Sequence, residues 1–239
     1  GSMAVSGGVL AWVLYAPENG SEVRSVDTWI PFQMRWELPQ TQRDGSICVL
    51  PLLKSMDARS TSARKLMVRA NVSILGEALE PVDTEISVAD DLGPDVELLR
   101  SCYPSELPRE SGERLFEIDE ELTLPGTMPK VRNILRYDVQ PMILEQKVMA
   151  GRLVFRGKCL LHLLYDSESG IHTWDTEVPF SQYAELDRDH SPNATAWIIP
   201  MVTGVELSCD DQNRLQLKCG IAAQYVIFDR VMVEIVEDA

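Results

Sequence analysis

Residues 151–186 read GRLVFRGKCLLHLLYDSESGIHTWDTEVPFSQYAEL, and this stretch decides the fold. The pattern predicts a long strand, a turn over residues 167–170, a second strand, and a corner at Pro179 and Phe180. Residues 7–38, GGVLAWVLYAPENGSEVRSVDTWIPFQMRWEL, repeat the same features. The chain is therefore predicted to contain a duplicated β module.

The duplication is supported by a nearly constant spacing between matching residues. Four residues recur 150 positions later, and six more recur 148 positions later, as a two-residue difference in turn length requires. The first set is Gly7, Leu14, Tyr15 and Gly20, matched by Gly157, Leu164, Tyr165 and Gly170. The second is Asp27, Thr28, Pro31, Phe32, Glu37 and Leu38, matched by Asp175, Thr176, Pro179, Phe180, Glu185 and Leu186. This spacing exceeds that of solenoid repeats and indicates two domain-sized units.

Further strands are predicted from alternating apolar and polar residues at 66–74 and again at 215–223. Hairpin mates are expected at 81–88 and 230–236, and one short helix at 129–135. Pro31 is expected to end strand pairing, because proline has no N–H to donate. The predicted fold is all-β, with two related β-sandwich or open-barrel domains in tandem and at most one or two short helices.

The predicted domain boundaries place a first unit at residues 4–103, a linker at 104–115 and a second unit at 116–239. The linker assignment follows from the Pro-, Ser- and charge-rich sequence of this region. Residues 114–150 have no counterpart before Gly7, so the first unit is expected to lack its leading segment.

Composition limits the classes of partner. The formal net charge of −15 argues against binding to nucleic acid or anionic membranes, and no apolar run is long enough to span a bilayer. The five cysteines form no C-x-x-C motif, and Cys159 and Cys219 fall on apolar faces. This usage favours a reducing, intracellular compartment.

No catalytic, cofactor-binding or metal-ligating constellation is predicted. Residues 187–193 superficially resemble a calcium loop, but Pro192 and Ile198 occupy the positions at which an EF-hand needs Gly and Glu. The recurring Asp27 and Asp175 are interpreted as turn or strand-end hydrogen-bonding groups. The chain is predicted not to be an enzyme and to need no cofactor.

The residues that recur, with the segments LTLPGTMPKVRNILRYDVQPMILEQKVMAGRLVFRG and LQLKCGIAAQYVIFDRVMVEIVED around the second copy, resemble the SPOCS domain. This domain occurs, often in tandem, in spore-coat-associated proteins of clostridia and related endospore-forming bacteria. The second copy is similar over residues 116–238, and the first copy from Gly7 onward. The family offers no catalytic residues to transfer.

The resemblance implies a non-enzymatic structural module that acts in spore coat or envelope assembly through protein–protein contacts. The implied location is the mother-cell cytoplasm at the surface of the developing spore, with coat proteins as partners and self-association as an alternative. The motif positions are interpreted as structural: Gly7, Tyr15, Gly20, Pro31, Phe32, Gly157, Tyr165, Gly170, Pro179 and Phe180. The alternative function is a carbohydrate- or cell-wall-binding β-sandwich, with Trp36 and Trp174 as candidate binding residues.

Overall fold

The computed structural model describes residues 2–18, 20, 22–37, 46–62, 64–79 and 99–238. The described residues form ten β-strands and no helix, which confirms the predicted all-β class. The strands are β1 Ser2–Tyr15, β2 Arg24–Glu37, β3 Ser46–Ser62, β4 Lys65–Leu79, β5 Leu99–Thr123, β6 Asn133–Met149, β7 Arg152–Ser167, β8 Gly170–Glu185, β9 Thr195–Cys209 and β10 Arg214–Asp238.

The strands group into a first unit, β1–β4, and a second unit, β5–β10. The first unit consists of two antiparallel hairpins, β1–β2 and β3–β4. The second unit contains two three-stranded antiparallel sheets, in the orders β6-β7-β8 and β5-β10-β9. The hairpins β7–β8 and β9–β10 of the second unit therefore each carry an additional strand on the outer edge, β6 and β5 respectively.

The hairpins of the two units share the same pairing register. Gly7 faces Phe32 across β1 and β2, and Gly157 faces Phe180 across β7 and β8. In the other hairpin, Ile47 faces Ala78, whereas the equivalent Ala196 faces Ile227. Because a slip of one residue would turn every side chain to the opposite face, this agreement indicates that equivalent side chains point to the same face of each hairpin.

The main core lies between the two sheets of the second unit, with β7 packed against β10. Strand β7 alternates buried and accessible residues from Leu153 to Leu163, as expected for a strand with one face on a core. The inward residues of both strands are almost completely inaccessible: Leu153, Phe155, Leu161, Leu163 and Tyr165 on β7, and Leu215, Leu217, Ile221 and Ile227 on β10. Each such side chain contributes about 1.5–3 kcal/mol on burial.

Two thiols occupy the centre of this core. Cys159 on β7 and Cys219 on β10 are free and fully buried, as their positions on apolar faces predicted. A hydrogen bond with Cys219, together with burial, raises the pKa of the Cys159 thiol. Both thiols therefore pack in the core as small apolar side chains.

The prediction that Pro31 ends strand pairing is wrong, and Pro179, predicted to lie at a corner, is also paired within a strand. Pro31 pairs with Gly8 inside β2, and Pro179 pairs with Lys158 inside β8. Both β2 and β8 are edge strands among the described residues. A proline on an edge strand can direct its missing N–H away from the partner strand, so that pairing continues past it.

The interpretation of residues 104–115 as an irregular linker is also corrected. These residues lie within β5, which pairs with β10 along its length. Pro104 faces Met232 and Pro108 faces Phe228, next to a shift in register. An edge strand with a bulge accommodates prolines and charged residues, so composition alone does not distinguish it from a loop.

The predicted helix at 129–135 is absent. The backbone N–H of Val131 donates to Asn213 Oδ1 at 2.8 Å, and that of Arg132 donates to the Asp166 carbonyl at 2.8 Å. Strand β6 then begins at Asn133, with a register shift around the buried Leu135. At a bulge, two consecutive residues can point to the same side of a strand. Apolar residues at such a position break the strict alternation of a strand and resemble the spacing of a helix.

Other predicted elements differ in extent. Residues 230–236 continue β10 and do not form a separate hairpin mate, and the polar residues 57–62 belong to β3. The predicted strand at 81–88 lies outside the described residues.

Substitution of Gly157 by Ala is expected to destabilise the second unit. A Cβ atom there would lie 2.1 Å from the Met142 carbonyl oxygen and 2.4 Å from the Phe180 ring, so β6 or the ring must move. The expected loss of unfolding free energy is about 1–3 kcal/mol, measured by denaturant titration. Gly204→Ala is the matched control, since nothing lies within 4 Å of its Cβ position. Equal losses for both variants would contradict the close-approach explanation.

Candidate interaction site

A buried ionisable cluster lies where the loop between β8 and β9 meets β5 and β10. The His190 side chain is 0% exposed, with Nε2 3.0 Å from the Glu110 carboxylate and Nδ1 3.4 Å from that of Asp229. The same carboxylates accept backbone N–H groups from Asp187 and Ser191. Among the described residues, His190 Nδ1 and the Ser191 hydroxyl have no hydrogen-bond partner, so the loop is anchored by Nε2 and by the backbone N–H groups that the two carboxylates accept.

The other candidate chemical groups are dispersed. Asp175 lies 2.9 Å from His162 on the adjacent strand, and both side chains are substantially exposed. Asp27 faces Trp12 at the equivalent register. Within the described part of the chain, no group of three or more His, Cys, Asp or Glu residues is arranged to hold a metal ion.

The two tryptophans predicted to bind ligands are both partly buried. Trp36 faces Met3 in the first hairpin, and Trp174 packs against the core of the second unit. Trp29 and Trp197 are the more exposed indoles, at 56% and 55%. The binding role of Trp36 and Trp174 stays a prediction. The residue type alone does not tell an exposed tryptophan from a partly buried one.

The motif residues occupy equivalent backbone positions in the two units. Gly20 donates to the Pro17 carbonyl in the first turn, and Gly170 has φ +115° in the second. The ring of Phe32 lies over Gly7, as the ring of Phe180 lies over Gly157. Glycine at these positions leaves room for the aromatic ring across the strand pair.

The equivalent tyrosines differ in burial. Tyr165 is 0% exposed and donates to the Pro129 carbonyl at 3.1 Å, whereas Tyr15 is 41% exposed. The segment that precedes β6 covers Tyr165, and no described residues take that place over Tyr15.

Several side-chain contacts join the two units, including the Trp12–Tyr137 ring contact at 4.9 Å and the Arg132–Glu22 ion pair at 3.4 Å, and one of them satisfies a backbone peptide group. The Gln224 side-chain amide on β10 accepts from the Val49 N–H at 2.8 Å and donates to the Val49 carbonyl at 2.9 Å. The carboxamide thereby acts as a one-residue strand on the outer edge of β3. Gln224 directly follows the alternating stretch 215–223 and lies on the face of β10 away from the core, yet it is 6% exposed because the first unit covers that face.

The first unit contains an open cleft between its two hairpins. The cleft has a volume of about 290 Å³ and is lined by Val9, Ile30, Pro31, Phe32, Met34, Ala70, Asn71 and Val72. Most of these residues are apolar and only partly buried. Five of the equivalent residues in the second unit are buried in the core, namely Cys159, Val178, Phe180, Cys219 and Ile221, whereas Pro179, Gln182 and Gly220 are not.

The difference in burial has a structural cause. In the second unit, β5 and β6 flank the equivalent hairpins, and β5 contributes the ring of Phe116, 5.2 Å from that of Phe180. In the first unit, no described strand pairs with the outer edge of β1 or of β4. Accessible apolar side chains next to unpaired strand edges are typical of sites where another polypeptide binds.

This fold defines an all-β protein with two related units, of which the second has an extensive buried core and the first an accessible cleft between its hairpins. Residues 130–209 match the family model described as SipL, SPOCS domain. This part of the second unit is therefore similar to the SPOCS domain, in agreement with its sequence resemblance. The match runs from just before β6 to the end of β9, and the relation of the first unit depends on the shared registers.

No curated protein and no solved structure matches the chain. Within the described residues, no helix is long and apolar enough to cross a membrane.

Replacement of His190 by Leu is expected to destabilise the protein by about 3–5 kcal/mol, because it leaves two largely buried carboxylates without their common partner. The measurement is denaturant unfolding. His162→Leu is the matched control: its contact with Asp175 is exposed, so the expected loss is below about 1 kcal/mol. Similar values for the two variants would show that the His190 cluster does not anchor the loop.

Replacement of Gln224 by Leu is expected to cost about 1–3 kcal/mol, since the N–H and carbonyl groups of Val49 lose their partner. Hydrogen exchange should become faster at the Val49 amide. Gln216→Leu is the control, because Gln216 lies on the same face of β10 but bonds Asp119 at an exposed position. Unchanged exchange at Val49 in the Gln224 variant would contradict the contact between the units.

Proposed function

We propose that this protein is a non-enzymatic interaction module that acts in spore coat or envelope assembly by binding other proteins. The observation that carries the proposal is the cleft of the first unit, which leaves partly accessible five apolar positions whose equivalents in the second unit are buried in the core. The similarity of residues 130–209 to the SPOCS domain supports the sporulation context. The proposed location is the mother-cell cytoplasm at the surface of the developing spore.

The distribution of accessible apolar residues supports binding to a protein. Large hydrophobic side chains that are more than a third exposed are frequent on the first unit: Leu14, Tyr15, Val26, Trp29, Met34, Ile47, Leu52, Leu53, Met56, Leu66, Met67 and Leu75. Exposed apolar side chains next to unpaired strand edges favour association with another polypeptide.

The co-precipitation of coat proteins from sporulating cells tests the proposal. Tagged protein should recover them, and Val72→Asp should reduce recovery because it places a carboxylate in the cleft. Ser73→Asp is the matched control, because Ser73 is the adjacent residue on the exposed face of β4. Thermal unfolding of both variants checks that the fold persists.

Equal recovery by the two variants would contradict a role for the cleft. Recovery of no coat protein by the wild-type chain, or expression confined to vegetative growth, would contradict the assembly role itself.

The alternative is a carbohydrate- or cell-wall-binding module. The exposed indole rings of Trp29 and Trp197 provide flat aromatic surfaces of the kind that stack on sugar rings. A glycan array tests this alternative with Trp174→Ala and Trp36→Ala, as the sequence predicts, together with Trp197→Ala. Glycan binding that is lost in any of these variants would favour it over protein binding.

A further inference from the structure

We propose that the outer edge of β4 in the first unit is a docking edge for an extended segment of a partner protein, in which apolar and acidic side chains alternate. This inference rests on the proposed interaction role and names the chemistry of the partner. The second unit of the same chain already contains such a segment, because β5 pairs with the edge of β10 that is equivalent to this edge of β4.

Strand β5 is the template for the occupant. Its residues Phe116, Ile118 and Leu122 face Ile221, Cys219 and Leu215 of β10 in an antiparallel register. The Phe116 ring lies 5.2 Å from that of Phe180 and 6.2 Å from that of Phe155, and Ile118 is buried in the core. One face of β5 therefore completes the sandwich over Phe180.

The first unit has the receiving surface. Phe32, Ala70 and Val72 are the equivalents of Phe180, Cys219 and Ile221, and all three line the 290 Å³ cleft. A strand paired with β4 in the register of β5 would place its aromatic residue opposite Val72 and its next apolar residue opposite Ala70. The cleft would then be closed as the second unit is closed.

Charge on the exposed face selects an acidic occupant. On β5, Asp119 lies 4.0 Å from Lys218 and accepts from Gln216, and Glu121 lies 3.4 Å from Arg214. The equivalents of Arg214 and Lys218 on β4 are Lys65 and Arg69.

The side chains of Lys65 and Arg69 have no ion-pair partner within the described part of the structure. In a protein with a net charge of −15, a basic pair beside an apolar cleft favours a segment with carboxylates at alternate positions.

The backbone provides the remaining affinity. Addition of a strand to an exposed sheet edge uses main-chain hydrogen bonds for affinity and alternate side-chain pockets for specificity. Here the cleft contacts the apolar face of the incoming strand, and the Lys65–Arg69 pair contacts its acidic face. Both faces of the strand therefore contribute to specificity.

A labelled peptide of residues 113–123, ERLFEIDEELT, is the probe, and its binding to the whole protein is measured by fluorescence anisotropy at low salt. Binding should be saturable and should slow hydrogen exchange in β4. Phe116→Ala in the peptide should weaken it about tenfold, because this ring fills the cleft. Arg69→Glu in the protein should weaken it about five- to tenfold.

A charge exchange provides the specific control. The peptide with Asp119→Lys should bind the Arg69→Glu protein more tightly than it binds the wild type. Arg35→Glu makes the same charge change beside the cleft residue Met34 but on the opposite face of β2, so it should leave peptide binding unchanged.

Three results would overturn the proposal. The first is no saturable binding. The second is slow hydrogen exchange at the β4 amides of the monomer without peptide, which would show that another part of the same chain already covers this edge. The third is a dimer that Arg69→Glu dissociates, which would assign the edge to a second copy. The co-precipitation experiment tests the assembly role separately from the docking edge. Coat proteins that bind elsewhere on the molecule would still be recovered with the Arg69→Glu protein.

Discussion

Strand β10 is buried on both of its faces between Ile221 and Ile227, and the rest of the structure is arranged around this strand. Its inner face packs against β7, where the fully buried thiols of Cys159 and Cys219 meet. Its outer face is covered by the first unit through the bond between Gln224 and the backbone of Val49. A buried amide that satisfies both backbone groups of one residue orients that residue more narrowly than apolar packing would.

The two units show what the flanking strands contribute. Their hairpins share one register, yet Tyr165 is fully buried and Tyr15 is not, and Phe180 lies in a core whereas Phe32 lies in a cleft. The difference comes from β5, β6 and the segment before β6, which supply Phe116 and the Pro129 carbonyl to the second unit. The second unit thereby has an extensive core, whereas the first unit has an accessible cleft beside strand edges that no described strand pairs with.

The strands, the hairpin turns and the duplication were predictable because they depend on local periodicity and turn chemistry. Alternation over residues 66–74 and 215–223 predicted β4 and β10, and the residues around Gly20 and Gly170 predicted turns. The predicted helix at 129–135 failed because Leu135 lies at a bulge, and bulges mimic helical spacing. The predicted linker at 104–115 failed because an edge strand tolerates prolines.

The sequence by itself determined the β class, the repeat and the inward faces of the strands. Side-chain alternation and the positions of turn glycines are local properties that neighbouring residues determine. Only the tertiary structure decided which strand edges are paired, that Gln224 reaches Val49, and that His190 lies between Glu110 and Asp229. These contacts join residues more than 35 positions apart. Their existence depends on how the sheets stack, and no local pattern encodes that arrangement.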